Sequence, residues 1–312
     1  MHGYGAAVPD WDPDVVVDEA LVRGLLEKQF PKLATSTIRF LGQGWDNSVW
    51  VVDERWTFRF PRRAIAVPGV ERELTVLPQV APLLPVQVPL PKLVGAATES
   101  FPWPFFAYRP LPGVEPADAG LSEDERVEVG AQLGRFLRAL HAPETRAAVD
   151  PEGMLPVDFN RRADMAVRVP RARENLAALR ELGLWRAPVA VERILAAAEK
   201  LPPSSGEVVL VHGDLHLRHV LVADGAIAAV IDWGDVCLAD PCVDLMLVWS
   251  LLTRAGRERF FAEYGPVTAE QRLRSRVLAI VIDSMLVRYA HDAGHASLQQ
   301  EAVAALARTL VD

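Results

Sequence analysis

The chain has 312 residues, half of them apolar, with 33 basic and 41 acidic side chains and a formal net charge of −8. At about 150 residues per domain this length suggests two domains or two lobes of one fold, large enough to need no disulfide or metal scaffold. The acidic balance argues against a general nucleic-acid or anionic-membrane binder, and no apolar run approaches a membrane-spanning length.

Two cysteines, Cys237 and Cys242, are too few for a disulfide framework or a four-ligand zinc site. They read as reduced thiols of a cytoplasmic protein. Met1 to Gly5 shows neither the basic start nor the apolar run of a secretory signal. Only four basic residues are lysine: Lys28, Lys32, Lys92 and Lys200.

In chain order, Asp18 to Gln29 reads as an amphipathic helix, with Leu21, Leu25 and Leu26 on one face. Thr37–Leu41, Ser48–Asp53 and Trp56–Pro61 read as an antiparallel meander, the first turn carrying Gly42-Gln43-Gly44. Glu71 to Val80 forms a short helix, and proline-punctuated strands end at Pro104 to Tyr108. Pro110, Pro112 and Gly113 then mark a hinge. Beyond it, Ser122 and Glu125 make a capping box for a helix that runs to His141. Residues 158–182, 189–201, 257–264, 268–290 and 297–310 also read as helices. One β-rich island interrupts them: Val208–Val211, then Val220–Val222 and Ala228–Ile231 around the turn Asp224-Gly225.

The densest chemistry lies between Val211 and Asp244, where six aspartates face a single arginine, Arg218. Phosphoryl transfer to a hydroxyl needs a carboxylate near the acceptor proton and ligands for Mg²⁺ bridging the phosphates. Asp214 follows a strand in a loop, a suitable position for a base or orienting group. Asp232 ends a hairpin strand and suits a hard cation. Upstream, Gly42 and Gly44 would let backbone N–H groups approach phosphate, with Asn47 or Ser48 adding hydrogen bonds. No lysine lies between that turn and the Glu71–Val80 helix, so Arg59 is the cation on the third strand. Its best partner is Glu73, then Glu71. Arg62 and Arg63 fall past the strand end.

The run His212-Gly213-Asp214-Leu215-His216 to Leu221, with Ile231-Asp232-Trp233 and Asp240-Pro241 to Leu245, resembles the aminoglycoside and macrolide phosphotransferases. The resemblance implies an α+β, bilobal protein-kinase-like fold with a small β-rich N-lobe and a large, mainly helical C-lobe. Residues 1–108 would form the nucleotide-binding lobe, 109–113 the hinge, and 114–312 the helical lobe with the catalytic loop and acceptor site. It implies Asp214 as catalytic aspartate, Asp232 as a metal ligand, Asp244 as a buttress of the catalytic loop, and a phosphate-binding cation on the third strand, where Arg59 stands, paired with a helix glutamate. His219 stands where most of the family has a metal-binding asparagine, a departure that resembles the macrolide type. Tyr108 to Pro110 would be the hinge against which a purine stacks.

The expected activity is transfer of the γ-phosphate of ATP or GTP, with Mg²⁺, to a hydroxyl of an antibiotic-like small molecule, a macrolide or an aminoglycoside. The alternatives are a metabolic kinase of a sugar, amino alcohol or homoserine, and a nucleotide-binding pseudokinase, against which the intact Asp214 and Asp232 weigh. Asp158, Asp164, Trp185, Trp249, Asp283 and Tyr289 are candidates to line the acceptor site. His212 is expected to hold the loop, His216 to line the acceptor site or cap the loop, and His141, Cys237 and Cys242 to be buried structural residues. Nucleotide and small-molecule acceptor are the expected partners, with no nucleic acid or membrane. Monomer and homodimer both stay open.

Overall fold

The structure, a computed structural model, describes residues 13–44 and 46–311, so Met1 to Gly5 and Trp45 lie outside it. The chain divides into two compact units. One comprises the chain up to Pro78 together with Pro89–Pro110; the other comprises Gln79–Val88 and Leu111 onward.

In the first unit, helix α1 (Glu19–Gln29) starts at Asp18, whose carboxylate accepts the Leu21 N–H. Strands β1 (Ile38–Gln43), β2 (Asn47–Val52) and β3 (Trp56–Pro61) form the expected antiparallel meander. Helix α2 (Val67–Val80) begins four residues earlier than the sequence pattern suggests. Strands β4 (Leu93–Gly95) and β5 (Phe105–Tyr108) complete a sheet of order β1-β2-β3-β5-β4. Val22, Leu25 and Leu26 of α1 bury against Phe58, Phe60, Phe101 and Phe105. Because side chains alternate along a strand, Arg59 is sent to the opposite face of β3 from Phe58 and Phe60.

The second unit contains α3 (Pro116–Ala119), α4 (Glu123–Leu140), α5 (Pro143–Val149), α6 (Met165–Glu181) and α7 (Val189–Ala198). The capping box of Ser122 and Glu125 starts α4 as expected. Strand β6 (Val209–Val211) pairs with β9 (Cys237–Ala239), and β7 (Val220–Ala223) with β8 (Ala226–Val230). Helices α8 (Cys242–Leu251), α9 (Arg254–Tyr264), α10 (Ala269–Ala293) and α11 (Ala296–Arg308) follow. Residues 79–88, placed by sequence in the nucleotide lobe, belong to this unit because Gln87 hydrogen-bonds Ala228 and Val230 of the hairpin. Gly113 has φ +100°, and a Cβ there would sit 2.8 Å from the Val222 carbonyl beside the Val114–Val222 bridge. No helix among the described residues is long and apolar enough to cross a membrane.

Two departures position the site. All ten residues of α8 are buried, so the helix has no polar face and no amphipathic signal by which the sequence could announce it. Residues 158–164, expected to begin a helix, instead form a turn. Asp158 and Arg161 take positive φ (30° and 51°), and the Asp158 carboxylate captures the N–H groups of Arg162 (2.6 Å) and Ala163 (2.9 Å). An aspartate that bonds nearby amides competes with helix formation, and α6 begins only after Asp164 caps it. The turn is moored to β9 by Asp158 N–H to Leu238 O and Leu238 N–H to Pro156 O, both 2.9 Å.

Candidate active site

The pairing of β6 with β9 sets the loop 212–219 beside the start of α8. Asp244, fully buried in the first turn of α8, accepts the N–H groups of His212 (2.8 Å) and Gly213 (3.0 Å). His141 Nε2–H also reaches it at 3.1 Å, while His141 Nδ1 lies 2.8 Å from the Tyr264 hydroxyl. Gly213 is at φ +88°, and a Cβ there would come within 2.2 Å of the Asp235 carbonyl. His212 accepts the Asp214 N–H at Nδ1 (3.2 Å) and donates Nε2–H to Ile231 O (2.9 Å). That bonding requires neutral imidazole, and burial lowers its pKa accordingly.

Asp214 lies in the middle of this loop. Burial pushes its pKa up, but Arg162, with His216 and His219, outweighs it and holds the carboxyl well below the ordinary carboxylate range. Arg162 Nη1 donates to Asp214 Oδ1 at 2.9 Å, and its Nη2 pairs with Asp235. His216 Nε2 stands 3.6 Å from Asp214 Oδ2, and its ring stacks on His219 with centroids 3.8 Å apart.

His219 donates Nδ1–H to the Asp214 carbonyl (2.7 Å), which leaves the lone pair on Nε2, 3.5 Å from Asp232 Oδ2. Burial, then His216, lowers the His219 pKa and keeps the ring neutral. Two acceptor atoms so close are an arrangement that a cation between them satisfies, so these residues fit a divalent metal. One ligand atom each from Asp214, His216 and His219 also lies within 4.8 Å of the others. The hairpin thus brings Asp214 and Asp232 to opposite sides of one imidazole.

In the first unit, Arg59 and Glu73 form a buried pair at 2.7 Å. The Asn47 amide, with its oxygen turned toward Arg59, accepts from Nη2 (2.9 Å) and Nε (3.2 Å). Asn47 therefore grips the cation. Ser48, expected to reach phosphate, is buried, and its hydroxyl accepts Trp50 Nε1–H at 2.9 Å. The Gly44 N–H is engaged with Asn47 O at 2.9 Å, so it closes the turn. A Cβ added at Gly42 or Gly44 would meet nothing within 4 Å among the described residues, so their packing does not demand glycine there. Tyr108 ends β5, opposite Thr57.

The acceptor candidates divide. Trp249 and Asp283 are core residues, bonded to Ser275 (2.7 Å) and Ser250 (2.8 Å) respectively. Asp158 and Asp164 shape the turn, Tyr289 lies under Arg218 at 5.0 Å, and Trp185 is half-buried. Both thiols are buried, Cys237 with its pKa pushed up to about 12 by burial and Cys242 likewise raised well above the ordinary thiol range. Arg162 is the site residue that the sequence pattern missed. It sits in a stretch that reads as helix, and only the mooring of the turn to β9 reveals where it goes.

A five-stranded antiparallel sheet unit and a helical unit carrying this loop are the parts of a protein-kinase-like fold. Residues 37–277 match the model of the phosphotransferase enzyme family, and the chain belongs to that family. It is 30% identical over 197 residues to an aminoglycoside 3'-phosphotransferase of Streptomyces fradiae, a match covering 60% of this chain and 65% of that protein, just under two thirds. It superposes on the GDP complex of wild-type aminoglycoside 2'-phosphotransferase-IIIa with a TM-score of 0.68 at 19% identity, over 94% of this chain and 99% of that one. Macrolide 2'-phosphotransferase MphH from Brachybacterium faecium is similar at 26% identity and TM-score 0.52, over 86% and 92% of the two chains.

Proposed function

We propose that this chain is a cytoplasmic small-molecule kinase that transfers the γ-phosphate of ATP or GTP to a hydroxyl of an antibiotic-like acceptor. Relatives named for aminoglycosides and macrolides support that acceptor class, and a relative solved with GDP supports a nucleotide donor. The observation that carries the reading is the line Asp214–His219–Asp232, held by Asp244.

In this reading the acceptor oxygen forms a bond to the γ-phosphorus as the bond to the bridging oxygen breaks, and nucleoside diphosphate leaves. Asp214 orients the hydroxyl and takes its proton late, because a carboxylate paired with Arg162 is a weak base. His216 steadies the second oxygen of Asp214. Asp232 and His219 would hold Mg²⁺, which when bound draws negative charge from the phosphates. Arg59, fixed by Glu73 and Asn47, would contact the α- and β-phosphates, with Gly42 and Gly44 giving them room and Tyr108 facing the base.

The test is a phosphorylation screen of macrolides, aminoglycosides and small metabolites with ATP and with GTP, using Asp214→Ala as control. Transfer by wild type to a hydroxyl of one of these classes is the expected result. Absence of transfer to every acceptor would refute the kinase reading.

A further inference from the structure

The acids around the catalytic loop are strongly engaged with the protein's own donors. Asp158 holds the amides of Arg162 and Ala163, and Asp164 holds Ala166 N–H and Arg161. Asp240 accepts from Ser204 (2.6 Å) and Cys242 N–H (2.8 Å), and Glu115 pairs with Arg218 at 3.3 Å. Asp283 is in the core. Asp214 and Asp235, each about a quarter to a third exposed, share one guanidinium, that of Arg162, and Asn160 Nδ2 donates to Asp235 at 3.2 Å. Arg162 therefore offsets one of the two partly exposed carboxylate charges where a substrate cation would need them.

We infer that Arg162 is a specificity-determining residue, taking the place between Asp214 and Asp235 that an ammonium group of a polycationic acceptor would fill. The inference rests on the kinase reading and deepens it: the acceptor is a hydroxyl compound of low positive charge. Two carboxylates and one fixed guanidinium leave one net negative charge where two would attract a polyamine, and like-charge contact with Arg162 opposes an ammonium brought alongside. Arg168 adds a second cation to the same turn, its guanidinium bonded to the Arg161 and Asn160 carbonyls, with burial and then Arg162 lowering its pKa. The turn and the chain leading into it expose Met154, Val157 and Phe159, which suits a weakly charged acceptor.

Kanamycin and per-N-acetylated kanamycin, one hydroxyl scaffold with and without its ammonium groups, separate the possibilities. Wild type is expected to show the higher kcat/KM on the acetylated compound. Arg162→Gln, which keeps a donor but removes the charge, is expected to shift that ratio toward kanamycin by about tenfold and to tighten calorimetric kanamycin binding by a similar factor. Arg162→Lys is expected to keep the wild-type ratio. Taking the ratio cancels any general loss of rate from a less well-held Asp214. A wild-type preference for kanamycin, or kanamycin binding no tighter in Arg162→Gln, would overturn the inference while leaving the kinase reading intact. Failure of wild type to phosphorylate any acceptor in the wider screen would overturn the kinase reading, and this inference with it.

Discussion

Each unit of the molecule centres on an arginine bound to carboxylate, and the two pairs differ in what the arginine leaves exposed. Arg59 meets Glu73 in near-complete burial. Arg162 meets two carboxylates at once, and both keep a solvent-facing side. A buried pair fixes a cation in position and destabilises the fold when either partner is lost. A shared guanidinium over partly exposed acids sets how much charge a ligand encounters. The first arrangement suits holding a group in a constant place, and the second suits selecting among acceptors.

Breaking the first pair gives the larger combined effect. Arg59→Ala is expected to raise the nucleotide KM or lower kcat by about tenfold or more. Leaving Glu73 buried without its cation should also cost about 3–5 kcal/mol of stability, read as a lowered Tm. Arg59→Lys should restore part of both. A variant with unchanged KM, kcat and Tm would make Arg59 a bystander and end the comparison.

The pair His219 and Asp232, proposed as metal ligands, is expected to show a conditional effect. His219→Asn should retain divalent-dependent transfer, because the amide oxygen also ligates, and should favour Mg²⁺ over Mn²⁺ more than wild type does, since oxygen is the harder donor. His219→Ala should lose most of the activity. Full activity in His219→Ala would remove this residue from the site.

Another buried carboxylate sharpens the contrast, because its hydrogen-bond partner is a hydroxyl in place of an arginine. Asp283 accepts from Ser250, and burial raises its pKa to about 8. The folded state then holds a proton that the unfolded chain gives up near pH 4, so this group makes stability fall as pH rises from about 4 to about 8. Asp283→Asn is expected to remove that slope, which denaturant melts at pH 5 and pH 8 would reveal as a smaller difference than in wild type. An unaltered slope would show that Asp283 is ionised in the fold.

How legible these centres were follows from how local their causes are. The Arg59–Glu73 pair could be read because strand alternation places Arg59, and the shortage of lysine leaves few rivals. The run His212–Leu221 with Asp232 and Asp244 was legible as motif, and the Asp244 contacts to the His212 and Gly213 amides match the expected buttress. Ser48 is buried, and its hydroxyl accepts from Trp50 two residues along the same strand face, a pairing that strand alternation alone does not announce. Helix α8 was invisible because burial on every side leaves no periodic pattern. Arg162 was hidden by a helical reading of residues 158–164, which the Asp158 carboxylate and the pairing with Leu238 undo. Both causes are tertiary or side-chain effects that a periodicity argument does not contain.

The central claim is that Asp214, paired with Arg162 and flanked by His216 and His219, is the group that engages the acceptor hydroxyl. Its most direct test compares phosphate transfer by wild type and Asp214→Ala on whichever acceptor the screen identifies, with nucleotide affinity measured alongside. The account predicts a fall in kcat of about a hundredfold or more with nucleotide affinity little changed. Transfer at the wild-type rate by Asp214→Ala would contradict it.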